Sequence, residues 1–132
     1  MSNKVVPALK IATKDLVYSS ESDEPFEVFE WKDDEGPLTR ERLLRFGGHA
    51  PNTPVEKVSL AKFFASLTKE EHWHGDKEKA TAKQYQSLLA VINEHLIEPQ
   101  VFRVGEVEIA VYVVGKAEEG AWVGVKTTAV ET

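Results

Sequence analysis

A chain of 132 residues is long enough to bury an ordinary hydrophobic core unaided, and it is read as one domain spanning residues 1–132. The absence of cysteine removes disulfides, thiolate metal sites and thiol catalysis. A formal charge of −6, from 16 basic and 22 acidic residues, argues against a phosphate-binding surface and suits a basic partner. No apolar run approaches the ~20 residues that cross a bilayer, and Met1-Ser2-Asn3-Lys4 leads into no long apolar stretch, so a soluble, cytoplasmic protein with no membrane contact is expected.

Residues 5–17 place Val5, Leu9, Ala12 and Leu16 at helical spacing with Lys10 and Lys14 opposite, which predicts an amphipathic helix with Pro7 in its first turn. Ser19-Ser20-Glu21-Ser22-Asp23-Glu24-Pro25 reads as an exposed acidic loop. Phe26-Glu27-Val28-Phe29-Glu30-Trp31 is apolar on both faces at strand period, which predicts a strand near the centre of a sheet. Thr39 caps a short helix over residues 40–46 that stops at Gly47-Gly48. Residues 55–58 form an edge strand, and Ser59 caps a helix over residues 60–67 that buries Leu60, Phe63, Phe64 and Leu67.

Residues 69–76 form a polar loop with one large exception, Trp73. The longest helix follows over residues 77–96, with Tyr85, Leu88, Leu89, Ile92 and Leu96 as its apolar stripe and Pro99 marking its end. The remainder is a meander of strands at residues 101–104, 107–114 and 121–127, after which residues 128–132 leave as a polar tail. Residues 107–114 are dense in β-branched side chains and apolar on both faces, which makes them the central strand. Helices before and between such strands imply an α+β, three-layer α-β-α sandwich around a largely antiparallel sheet.

The most enzyme-like spacing is His72-Trp73-His74-Gly75-Asp76, where two imidazoles and a carboxylate match part of a binuclear zinc hydrolase pattern. The match ends at Lys77, where that pattern needs another histidine, and His49 and His95 are the remaining imidazoles. A small zinc hydrolase using His72, His74 and Asp76 is therefore the alternative reading. There is no G-x-S-x-G elbow and no glycine-rich phosphate loop. A non-catalytic set stands out instead: Glu21 in the acidic loop, Trp73 in a polar loop, and Thr132 with a hydroxyl beside a carboxylate.

Around these residues the chain resembles the nuclease A inhibitor family, small proteins that block a sugar-non-specific, metal-dependent DNA/RNA endonuclease. The resemblance rests on Ser20-Glu21-Ser22 with Pro25-Phe26-Glu27-Val28-Phe29 close behind, on Pro99-Gln100-Val101-Phe102-Arg103-Val104-Gly105-Glu106-Val107-Glu108 followed by Val111-Tyr112-Val113, and on the ending Val130-Glu131-Thr132. It implies an α-β-α sandwich in a one-to-one complex that covers the nuclease active site, with no nucleic acid bound and no cofactor of its own.

The resemblance further implies that Glu21, Trp73 and Thr132 sit at that interface, Thr132 reaching a catalytic magnesium that belongs to the nuclease, with Ser22 and His72 beside them. His72 departs from the acidic residue the family has before the tryptophan, so the target can differ; the same scaffold binding another basic protein is a further alternative. Such an inhibitor needs hard oxygens on a protruding segment, because Mg²⁺ takes oxygen ligands and the nuclease leaves positions open for phosphate.

Overall fold

The computed structural model describes residues 4–32, 37–70, 73, 75–117 and 120–131. Helix α1 (Val5–Ala12) buries Val5, Leu9 and Ala12 and holds Pro7 in its first turn. It is shorter than its apolar spacing predicts. Thr13 donates its hydroxyl to the Leu9 carbonyl at 2.8 Å, and Asp15 takes a left-handed φ of 60°, so the chain leaves the helix before Val17. Val17 then opens β1 (Val17–Ser19), which pairs with β2 (Asp23–Pro25) in a separate antiparallel hairpin. The expected acidic loop is thus corrected in part: Ser20, Glu21 and Ser22 form the tip of a hairpin, and Asp23–Pro25 are its second strand.

The main sheet is antiparallel, with five strands in the order β3-β7-β6-β5-β4. Strand β6 (Glu108–Lys116) is the middle one, as its composition predicts, although Val107 stays outside it and is exposed. Strand β4 (Val55–Val58) is at one edge, as its length predicts. Strand β3 (Glu27–Trp31) is a correction, lying at the opposite edge instead of near the centre. Strand β5 (Ile97–Val104) contains Pro99, which sits where the register with β6 shifts between Ile97 and Gln100. A residue without an N–H fits such an irregularity, and the helix it was expected to end stops earlier.

Helix α2 (Arg40–Gly47) is capped by Thr39, whose hydroxyl oxygen accepts from the Arg42 N–H at 3.2 Å, and it ends at Gly48 with φ 74°. Helix α3 (Leu60–Ala65) is capped by Ser59 accepting from the Lys62 N–H at 3.1 Å, and it buries Phe64 fully. Helix α4 (Asp76–His95) buries Ala82, Tyr85, Leu88 and Ile92, while Leu89 is only partly covered.

Alternate residues of the strands feed two apolar clusters. Val101, Ile109, Val111, Val113, Val123 and Val125 join residues of α1, α3 and α4, whereas Val104, Ala110 and Tyr112 join Leu43 and Leu44 of α2. Beside the second cluster lies a part-buried polar pair: the Tyr112 hydroxyl is 2.7 Å from His49 Nε2. Burial pushes the phenol up to about 12, so it keeps its proton and donates to a neutral imidazole. Burial, then the charge of Lys126, holds His49 below its ordinary 6.5.

A histidine kept neutral by folding stabilises the protein above the unfolded pKa near 6.5, and that stability is lost as pH falls through the lower folded value. The melting temperature of the wild type is therefore expected to drop more than that of His49→Gln between roughly pH 7 and pH 5. Parallel curves for the two proteins would contradict the pairing.

Candidate functional site

The elements that carry Glu21 and the end of the chain meet on one edge of β7 (Trp122–Val130). Strand β3 pairs with β7 only from Trp122 to Lys126. Beyond that point the free edge of β7 is taken by the hairpin. Thr127 donates its hydroxyl to the Pro25 carbonyl at 3.0 Å, Ser20 Oγ accepts from the Val130 N–H at 2.9 Å, and the Glu21 N–H donates to the Val130 carbonyl at 3.3 Å. Both backbone groups of Val130 thus face the hairpin tip, and the side chain of Glu21 is exposed beside them.

The tip is itself ordered by the Ser20 N–H, which donates to the Ser22 carbonyl at 2.9 Å, and by the Ser22 hydroxyl, which donates to Glu24 Oε2 at 2.8 Å. Ser22 therefore shapes the turn more than it offers a free hydroxyl. The polar tail predicted from residue 128 is a correction: β7 continues to Val130, whose register partner on β6 is Glu108. The next residue, Glu131, turns its N–H to the other side and donates to the Val107 carbonyl at 2.9 Å.

The Glu131 carboxylate accepts from the Arg103 guanidinium, which also lies 3.4 Å from a carboxylate oxygen of Glu56. The hydrogen bond to Glu131 is the main reason Arg103 is held above its ordinary pKa, against the opposing effect of burial. Arg103 stands on the same strand face as the buried Val101, so a lone guanidinium on an apolar face was the sequence signal for this group. Sequence reasoning did not single out Ser20, Glu56, Arg103 or Glu131.

Trp73 is 70% exposed in the connection between α3 and α4. The same connection, strand β1 and helix α4 line a groove of about 620 Å³ through Val17, Ser19, Leu67, Lys69, Lys77 and Tyr85 among others. The Tyr85 hydroxyl spans its floor to the Val17 carbonyl at 2.9 Å. Neither Glu21 nor Trp73 lines this groove, but Ser19 lies two residues before Glu21 and Lys69 lies in the connection that carries Trp73.

His72 and Thr132 lie outside the described residues, as does His74. Of the alternative zinc set, Asp76 is described; it occupies the first turn of α4, where a carboxylate complements the helix dipole. Among the described residues no group of three or more histidine, aspartate or glutamate side chains is placed to hold a metal ion, and no helix is long and apolar enough to cross a membrane. What the surface offers is carboxylate and hydroxyl oxygens on a pinned edge, and an exposed indole in the connection between α3 and α4.

No curated protein matches the chain. The sequence model of one family, described as NuiA, nuclease A inhibitor-like protein, matches residues 3–132. This match spans the helix, hairpin, sheet and chain end described above, and the chain belongs to the nuclease A inhibitor-like family.

Proposed function

We propose that this protein is an inhibitor of a non-specific DNA/RNA endonuclease, not an enzyme, which binds one to one over the nuclease active site. The observation that carries the reading is the pinning of the Glu21 turn to Val130, because it puts two oxygen-bearing segments side by side at one end of the sheet. A nuclease that holds Mg²⁺ leaves positions open for phosphate oxygens, and hard oxygens presented together can fill them. Thr132, one residue beyond the pinned segment, supplies a hydroxyl and a carboxylate to that metal. Glu21 takes the place of a phosphate oxygen and accepts from basic groups or metal-bound water. Ser22 holds the turn, and His72 lies next to the packing anchor Trp73.

The magnesium is the nuclease's own, and the inhibitor carries no cofactor. Its net charge of −6 suits the basic groove of an enzyme that grips a polyanion. A cytoplasmic location and the absence of nucleic-acid binding go with this role.

The reading is tested by titrating the protein into nuclease A, the enzyme that gives the family its name, with DNA as substrate. Inhibition that saturates at one equivalent is expected; no inhibition, with capture of a different basic protein, would favour the same scaffold on another target. Trp73→Ala is expected to weaken binding by about 2 kcal/mol while leaving the melting temperature nearly unchanged, since an exposed ring that becomes buried on binding contributes mainly to the complex. A loss of melting temperature with little loss of binding would assign Trp73 to the fold instead.

A further inference from the structure

The geometry points to Arg103 as a positioning residue for the end of the chain, a role that rests on the inhibitor reading above. Among the described residues, the chain has no strand neighbour on the hairpin side beyond Val130. Its direction is set by two contacts of Glu131: the backbone bond to the Val107 carbonyl and the side-chain bond to Arg103. The first fixes the position of the peptide, and the second fixes its rotation by holding the Glu131 side chain on the face of the sheet that carries Arg103.

Arg103 is suited to this by its own confinement. It lies in the interior of β5, paired with Glu56 of β4 on one side and Val111 of β6 on the other, and its side chain is 19% exposed against 53% for Glu131. Glu56 holds the guanidinium from the outer edge while Glu131 holds it from the side of the chain end. A planar donor gripped by two carboxylates keeps a defined orientation, which a lysine ammonium would not impose. The order of the latch is therefore β4 to β5 to chain end, and it does not pass through the Glu21 turn.

The test has one arm without nuclease and one with it. In the free protein, Arg103→Met, which keeps the aliphatic stem over the sheet, is expected to raise amide exchange and lower the order parameters at Glu131 and Thr132 while the β6 and β7 amides stay protected. With nuclease A, Arg103→Met is expected to weaken inhibition by roughly 10- to 100-fold, the usual scale for residues that orient a ligating group. Arg103→Lys should recover only part of that loss. In protein lacking Thr132, adding Arg103→Met should cause no further loss, because a latch has nothing left to aim.

If the wild type inhibits and Arg103→Met inhibits equally well, or if its loss adds in full to that of the Thr132 deletion, the positioning role is overturned and the inhibitor reading stands. Unchanged dynamics at Glu131 in the variant would overturn the latch as well. If the wild type does not inhibit nuclease A at all, the inhibitor reading fails, and the role of Arg103 falls with it.

Discussion

A short C-terminal tag on this chain is expected to harm inhibition as much as deletion of Thr132, each costing about 2–5 kcal/mol of binding, the range found when one partner of a buried charged contact is removed. Both changes take the carboxylate from its place. Thr132→Val keeps the carboxylate and removes the hydroxyl, so it separates the two shares. The fold should be indifferent to all three, because among the described residues Val130 and Glu131 tie this end of the chain to the hairpin and the sheet. Glu21→Gln is the matched control: it keeps the shape of the turn and removes its charge. Undiminished inhibition by the tagged protein would show that the chain end does not reach the nuclease metal.

The second large effect concerns stability. Gly124 sits in the middle of β7, opposite Val114 of β6 and Phe29 of β3. A Cβ there would overlap the Val113 carbonyl oxygen and lie 2.8 Å from its carbon and 2.9 Å from Val114 Cα. All three atoms are backbone of the central strand, so no rotamer change relieves the overlap and the two strands must separate. Gly124→Ala is expected to cost about 3 kcal/mol, the upper part of the range for overpacking, and to lower the melting temperature by roughly 10 °C in a chain of this size. Gly48→Ala is a useful contrast. Its Cβ would meet nothing within 4 Å, and only the left-handed φ of 74° opposes it, at about 1 kcal/mol. Equal melting temperatures for the two variants would mean that β6 and β7 do not approach so closely.

The central position of residues 108–116 and the edge position of residues 55–58 were legible because strand composition and length report burial directly. The same logic misplaced residues 27–31. Phe29 and Trp31 look like residues of an inner strand, but their cover comes from the flanking face: Trp31 stacks on Phe46 just before the end of α2 at 4.9 Å, and Phe29 on Trp31 at 4.3 Å. Apolarity on both faces measures what lies above and below a strand and says nothing of what lies beside it.

The hairpin was missed for a related reason. Its hydroxyls and carboxylates satisfy turn chemistry equally well in a loop, and what makes it a docked element is a set of bonds to Thr127 and Val130, about a hundred residues away. Glu21, Trp73 and Thr132 stood out in the sequence as a loop carboxylate, a tryptophan in a polar loop and a terminal hydroxyl, and an interface role for them was implied only by resemblance to a family. Arg103 left only the signal of a guanidinium on an apolar strand face, because its partners Glu56 of β4 and Glu131 beyond β7 are brought to it by the fold alone.

The docking of the hairpin on β7 also bears on entropy. A surface loop that organises itself on contact gives up backbone freedom at about 1–2 kcal/mol per residue at the moment of association. Here the turn at Ser20–Ser22 and the strand end at Val130 have already surrendered that freedom during folding, through bonds that exist in the unbound molecule. At the turn and the strand end, ordering on association then falls on side chains, at about 0.5–1.5 kcal/mol each. Ordering was settled when the chain closed the open edge of its own sheet.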